Sequence, residues 1–337
     1  GRYVIRRLLQ FIPTVLGTLF LLHYMTSLGI QFSGNPVRAL FGDRTPPPAL
    51  LEAVSKRLGY DDPCLEQPGN WCIGLFGKRL EGIFLNWPPD FGINMRMRPV
   101  LDVVGDAVPY TLRLMVIAVL FNAIVGIFAG VLAGLRSGSF MDYLVKVSTV
   151  LVISMPIFVI GLLIREFVGV KFGNVLREGN FLPDVISEGV FAAGYKPDYP
   201  WASLVIPGLV LGSISLATTA RLTRTSIMEN IRADYVRTAR AKGLTTSRVI
   251  GVHTLRNSLI PVVTSIGVDI GASMGGAVVT ETIFNVPGIG RAVTQAARQS
   301  DASTVIGVVT LLVLVFLVVN LLVDLLYAVL DPRIRYE

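Results

Sequence analysis

Apolar positions in this chain gather into long unbroken runs instead of alternating with polar ones. Six runs stand out: Leu8–Ile30, Tyr110–Leu135, Tyr143–Val168, Ala202–Ala220, Leu259–Thr282 and Thr304–Leu330. An α-helix rises about 1.5 Å per residue, so crossing roughly 30 Å of hydrocarbon takes about 20 apolar residues. Runs of this length and number separate membrane spans from buried soluble helices, which periodicity alone cannot do. The pattern predicts an all-α integral membrane protein with six transmembrane helices. Pro13, Pro156, Pro207 and Pro261 fall within the runs and are expected to be accommodated there, because neighbouring helices re-satisfy the backbone groups that proline frees. Arg2, Arg6 and Arg7 precede the first run, and Ser27-Leu28-Gly29 has the form of a small-x-small cleavage site. A secretory signal has an apolar region of about 7–15 residues. The first run is longer and reads as an uncleaved helix.

Three regions follow from this pattern: an N-terminal helix over 1–30, an insert over 31–109, and a five-helix core over 110–337 with one long polar loop at 221–258. In the insert, Thr45-Pro46-Pro47-Pro48 favours extended backbone. A helix is expected over Ala49–Leu58 with Gly59 as its C-cap. A segment of this length is too long for a plain connector and is expected to fold. Both cysteines, Cys64 and Cys72, lie here. Outside the membrane they are expected to oxidise, closing a short loop worth about 2–3 kcal/mol; the alternative is two free thiols. No metal site is expected, since two ligands without a nearby histidine do not make one.

Composition sharpens the class. Of 337 residues, 52% are hydrophobic and 16% charged. The net charge of +7 raises nucleic acid as a partner, but the basic residues follow the topology. With both termini cytoplasmic, the inner segments hold Arg2, Arg6, Arg7, Arg136, Arg333, Arg335 and a run from Arg221 to Arg256 that includes Arg224, Arg232, Arg237, Arg240, Lys242 and Arg248. The two short outer loops carry Lys171, Arg177, Lys196, Arg291 and Arg298. This is the positive-inside bias. It places the chain in a cell membrane with an extracytoplasmic insert, and it argues against nucleic-acid binding, which would call for a basic stripe on a soluble domain.

The loop over 221–258 reads as helix, glycine-centred turn, helix. Ile227, Ile231, Tyr235 and Ala239 recur every four residues and Gly243 stops the first helix, after which Val249, Ile250 and Leu255 begin a second stretch leading to Pro261. One reading is an amphipathic connector whose charges fix orientation. The other is a docking knob for a cytoplasmic partner. There is no GxxxxGK[ST] phosphate loop, so any nucleotide that powers transport must sit on another chain.

The segment Asp234-Tyr-Val-Arg-Thr-Ala-Arg-Ala-Lys-Gly243-Leu, followed by His253-Thr-Leu-Arg-Asn257-Ser-Leu-Ile-Pro261, resembles the EAA loop of ABC-importer permeases in the form found in the oligopeptide/dipeptide/nickel branch. Against the general pattern E-A-A-x3-G-x9-I-x-L-P, Ala239, Gly243 and Leu255 match. Arg237 stands for the Glu, Thr238 for the first Ala, His253 for the Ile and Arg256 for the Pro. Further resemblance runs through Arg2–Leu9, Leu58–Pro63, Asp90–Gly92 with Pro99-Val100, Glu281–Arg291 and Asn320–Arg333. The portion Cys64–Asn86 looks atypical.

The resemblance implies the type I ABC importer permease fold and the role of the first of two paired permeases. It also implies a second permease subunit, two cytoplasmic ATPase subunits or domains carrying ATP and magnesium, an external substrate-binding protein, and peptide as substrate. Nickel chelate or another small solute is the alternative within the branch. The loop is then expected to dock on the ATPase through Tyr235, Arg237, Thr238, Ala239, Arg240, Gly243, Leu244, His253, Arg256 and Asn257. Tyr235 and Leu244 would bury as anchors, and Ala239 and Gly243 would let a partner approach closely.

Other positions carry expectations of their own. Gly267, Gly271 and Gly275 form a small-xxx-small stripe for helix packing. Charge at mid-bilayer costs at least about 2.5–3.5 kcal/mol, so Asp269 is a candidate for the substrate pathway or else a buried structural carboxylate. Asp324 is expected to meet Arg333 or Arg335. Arg165 and Glu166 close the third span, and Glu281 matches the family's Glu at the outer end of the fifth. Val286-Pro287-Gly288 suits a type II turn. It leads through Gly290 into an amphipathic stretch with Ala292, Val293, Ala296 and Ala297 on one side and Arg291, Gln295 and Arg298 on the other, expected at the external mouth. The histidines, His23 and His253, have no metal-spaced partners and no HExxH pattern is present; the GxSxG string at Gly271–Gly275 lies inside an apolar run and not at the strand-to-helix turn that a nucleophile needs, which argues against an enzyme. A channel or secondary carrier is the stronger rival; it would work without ATPase partners.

Overall fold

The computed structural model describes residues 2–34, 37–38, 46–179, 182–299 and 301–330. Helices dominate. In chain order they are α1 (Arg2–Ser33), α2 (Pro48–Leu58), α3 (Ile73–Phe84), α4 (Val100–Phe121), α5 (Ile127–Leu135), α6 (Phe140–Ser154), α7 (Ile157–Ile164), α8 (Gly173–Gly179), α9 (Val205–Asn230), α10 (Asp234–Ala241), α11 (Thr246–Arg248), α12 (Leu255–Ile283), α13 (Ile289–Arg298) and α14 (Ala302–Leu330). Short π-helical segments join α4 to α5, α7 to α8, and α11 to α12 without ending the helix.

Among the described residues, five helices are long and apolar enough to cross a membrane, and six when a bent pair counts as one span. Each of the five begins or ends close to a run in the sequence. One of them, Thr246–Ile283, extends well before Leu259, because the second half of the polar loop is continuous with the span. The bent pair is the departure. The third span was expected as one helix over Tyr143–Val168, but α6 and α7 meet at 103° around Met155 and Pro156. Proline clashes with the carbonyl four residues back and withholds an N–H. Pro13, Pro109 and Pro261 are carried inside helices, whereas Pro156 sits at the N-cap of α7 with ψ 140.

The chain forms two compact units: Gly1–Thr111 with Pro287–Val318, and Leu112–Val286 with Val319–Glu337. In the first unit, the insert has its own core of Leu58, Tyr60, Leu65, Cys72 and Leu75 with Ile30 of α1. Helix α2 ends as expected at Gly59, which adopts φ +74. Cys64 and Cys72 are joined as a disulfide with Cα atoms 5.4 Å apart. The span helix α4 starts at Val100, so Pro109 lies inside it and not at the end of the insert. Val100, Val104 and Ala107 pack with Ile289 and Val308 in a second cluster.

The second unit is built around α9, which packs on α5, α6 and α12. Glycines set the close approaches. A Cβ on Gly130 would lie 2.5 Å from Thr223 and 2.6 Å from the Ala220 carbonyl; on Gly134, 2.8 Å from Ile227; on Gly212, 2.6 Å from the Ala118 carbonyl. The tight seams therefore join α5 to α9 and α9 to α4. In the expected stripe on α12, Gly267 packs on Val323, Gly271 is buried, and Gly275 faces open space within this chain.

Candidate functional site: the loop between α9 and α12

Helix α9 ends at Asn230, and α10 begins at Asp234 after three intervening residues. The four-residue apolar repeat noted in the sequence spans this break, so it does not describe one helical face. The face that α10 buries is Val236 and Ala239, packed with Val249 and with Leu244 in a small core of the loop's own. Leu244 is thus committed inside the chain and is not a free anchor for a partner.

Gly243 closes α10 with φ +76. Its N–H bonds the Arg240 carbonyl at 2.9 Å, and the Leu244 N–H bonds that of Ala239 at 3.3 Å. This is a Schellman cap, with the accompanying apolar contact supplied by Leu244 on Ala239. A Cβ on Gly243 would meet nothing within 4 Å. Within the chain, glycine is therefore needed at 243 for its left-handed backbone, a reason the expectation of close approach by a partner did not include.

The residues left outside this small core are Tyr235, Arg237, Thr238, Arg240 and Lys242, all exposed. Arg237 pairs with Asp234 at 3.6 Å on the open surface. Farther along, Arg248, Arg256 and Asn257 are exposed and His253 is half-buried. The loop thus presents a basic face with one aromatic ring on a small rigid base.

Hydrogen bonds tie that base to the spans. The Tyr235 hydroxyl donates to Asn230 Oδ1. Asn230 Nδ2 donates to the Ser226 carbonyl at 2.9 Å, and Ser258 Oγ of α12 donates to the same carbonyl at 3.2 Å. Six residues before Asn230, Arg224 donates to both oxygens of Asp142 on α6, from Nη2 at 3.2 Å and from Nε. Asp142 is fully buried and also accepts from the Gly138 N–H at 2.9 Å and from Lys146 at 2.9 Å. This buried carboxylate, bonded on every side, joins the α5–α6 turn to the base of α9; the sequence reading did not single out Asp142. A lone Asp at the start of an apolar run, with Arg224 eighty-two residues on, was the only signal.

The remaining candidates are dispersed. Asp269 stands two helical turns from Gly276, hence on the side of α12 where Gly276 meets Leu211 and Ile157. Its Oδ2 is buried with no hydrogen-bond partner among the described residues. Arg165 donates to the Ala193 carbonyl at 3.1 Å and Glu166 is exposed. Lys196 pairs with Glu188 at 2.9 Å and holds its carboxyl below the usual range. Glu281 is wholly buried and offers no free carboxylate at a mouth.

The type II turn expected at Val286-Pro287-Gly288 is not formed: Gly288 is extended (φ −93, ψ −176) as the N-cap of α13, and the left-handed position falls at Asn285 (φ +52). Pro287 and Gly288 line an open cleft with Arg291, Ala292 and Gln295, opposite Arg98 and Tyr110. Gly290 is buried, and Ala297, placed on the apolar side in the sequence, is exposed. The side chain of Asp324 and residues Arg333 and Arg335 lie outside the described residues.

Six apolar passages, a glycine-capped helix held on a small core between the fourth and fifth of them, and exposed basic residues on that helix define a multi-pass membrane permease subunit. The chain belongs to the family described as binding-protein-dependent transport system inner membrane component, whose profile matches residues 126–336. It is 36% identical over 350 residues to the dipeptide transport system permease protein DppB of Escherichia coli K12, covering 100% of this chain and 99% of that one. It is 33% identical over 351 residues to the DppB of Alkalihalophilus pseudofirmus, covering 99% of each. The glutathione transport system permease protein GsiC of Escherichia coli K12 is 33% identical over 337 residues, again covering 99% of each. A crystal structure of an amino acid ABC transporter with histidines aligns with 67% of this chain and 94% of its own at 15% identity and a TM-score of 0.49, too distant a likeness to add to the family assignment.

Proposed function

We propose that this chain is one of two permease subunits of a peptide importer, forming half of the pathway for di- or oligopeptides. Both termini and the 221–258 loop face the cytoplasm, and the insert faces outward. Peptide as the class of cargo is supported by full-length similarity to permeases named for dipeptides and for glutathione, itself a tripeptide. The observation that carries the coupling role is the exposed face of α10: Tyr235, Arg237, Thr238 and Arg240 stand outward from a base that this chain completes by itself. Partner ATPases hold ATP and magnesium and receive that face, with Arg237 and Arg240 meeting carboxylates. Arg256 and Asn257 flank the contact. An external binding protein delivers the peptide, and this chain performs no catalysis. Pro287, Gly288 and Gln295 stand at the external mouth. The side of α12 that carries Asp269 makes that carboxylate a structural group of the subunit interior before it is a contact for the peptide's amino terminus.

The test is uptake by vesicles holding the whole complex. Labelled dipeptide is expected to accumulate only with ATP on the cytoplasmic face and the binding protein on the other. Accumulation without ATP would turn the assignment to a secondary carrier.

A further inference from the structure

The atypical part of the insert has a placement that the transport role does not require. Helix α3 and the residue before its N-cap pack on α1 at Phe20, His23 and Tyr24. Ring centroids are 5.2 Å apart for Phe20 and Phe76, and 5.0 Å for Tyr24 and Trp71. His23 Nδ1 accepts from Arg79 at 3.0 Å, which leaves the proton on Nε2 to be donated to the Cys72 carbonyl at 3.1 Å. These α1 residues lie inside the candidate span Leu9–Phe32. They stand eight to twelve positions before its end, about 12–18 Å along the helix. A helix fixed at that level lies within the bilayer or at its interface.

The outward side of α3 suits that level. Ile73 is 67% exposed, Phe84 54%, Leu85 78%, and the flanking Trp71 and Trp87 54% and 93%. At 100° per residue, Ile73, Gly77 and Phe84 form one strip; Glu81 adjoins it and Lys78 lies farther round the helix. Bulky apolar groups left open to water would be costly, while tryptophans at both ends match the interfacial belt of membrane proteins.

Beneath α3 is a cavity of about 220 Å³ with apolar walls that include Leu19, Phe76 and Ile306, and with Arg79, Lys78 and Ser303 among its polar groups. Its residues on α14, like those on α1, belong to a membrane span. Arg79 is half-buried and has no carboxylate at ion-pair distance among the described residues; burial depresses its pKa. Asp90 at the rim has one oxygen committed to the Gly92 N–H at 2.8 Å. At roughly 30 Å³ per water, the space takes a phosphate group with room to spare.

We infer that α3 lies in the outer leaflet and that the cavity it covers takes the phosphate of a phospholipid headgroup on the Arg79 guanidinium. Guanidinium and phosphate make paired, charge-assisted hydrogen bonds, and acyl chains would run along the Ile73–Phe84 strip. The inference rests on the insert being external and not on peptide as the cargo.

Two measurements on the assembled complex test it. Native mass spectrometry in mild detergent is expected to show phosphatidylglycerol retained on this chain and diacylglycerol not retained. Retention should fall roughly tenfold in Arg79→Gln and recover in part in Arg79→Lys. Equal retention by Arg79→Gln, or displacement of the lipid by millimolar inorganic phosphate, would overturn the proposal, the latter in favour of a free-ion site. The second measurement leaves Arg79 intact, so it stands even if that variant fails to fold. A benzophenone amino acid in place of Phe84 is expected to crosslink to phospholipid, and one in place of Lys56 on α2 is not. Crosslinks from position 84 only to protein would place α3 against a partner chain and contradict it.

Discussion

At position 243 the backbone turns left-handed, and among the described residues nothing lies within 4 Å of an added Cβ. The cost of substitution there is conformational, about 1–2 kcal/mol for most residues and less for asparagine, which tolerates that region. Gly243→Ala is therefore expected to loosen the end of α10, seen as faster amide exchange at Thr238–Leu244, and to lower transport at normal abundance. Gly243→Asn should lose less on both counts, and equal behaviour of the two would contradict the backbone explanation. Asp142 is the opposite kind of residue, with every bond made inside the protein. Asp142→Asn leaves Arg224, 17% exposed, without its counter-charge, at a cost of about 1–3 kcal/mol or more. A lower thermal midpoint of the purified chain is the expected result. Gly243 was legible because helix, glycine and apolar follower are local in sequence. Asp142 was not, because its meaning depends on an arginine brought to it by helix packing.

Helices repeat this contrast. The spans were legible from run length, which reports the solvent and not the fold. Which helices touch was not legible, since small residues occur on several of them. The α12 stripe drew attention because its glycines recur every four residues, yet Gly126 of the π-helical segment, with Gly130 and Gly134 of α5, has the same spacing and makes the tighter seam. Gly130→Ala puts a methyl 2.6 Å from a backbone carbonyl that has little room to move. About 1–3 kcal/mol of overpacking should appear as reduced membrane abundance. Gly275→Ala meets nothing within 4 Å and should be produced at normal levels, with any defect appearing as weaker retention of the second permease. The reverse ranking would show that the seam is misplaced. The break in the third span was missed for a related reason. Pro13, Pro109, Pro156 and Pro261 look alike in sequence, and only packing decides which is carried within a helix and which ends one. The continuity of α11 with α12 was also hidden by its polar residues. It makes a single helix of Thr246–Ile283, about 57 Å long and longer than the hydrocarbon is thick, so that its first turns belong to the loop and its last to the far side.

For the whole molecule, the consequence is a short mechanical path. The exposed face of α10 is tied through Tyr235, Asn230 and Ser226 to the ends of α9 and α12, and Arg224 ties α9 to α6. A push on α10 would reach three spans through hydrogen bonds and an ion pair, without a flexible linker to absorb it. The proposed coupling role requires a partner that pushes, and this chain carries no GxxxxGK[ST] loop of its own. The most direct measurement is therefore gentle extraction of the tagged chain from its own membrane, followed by identification of what copurifies. A second six-span permease together with proteins containing Walker motifs is the predicted result, and Gly243→Trp should lose the Walker proteins while keeping the permease. A lone chain, or a homo-oligomer that moves solute in vesicles without ATP, would contradict the importer assignment.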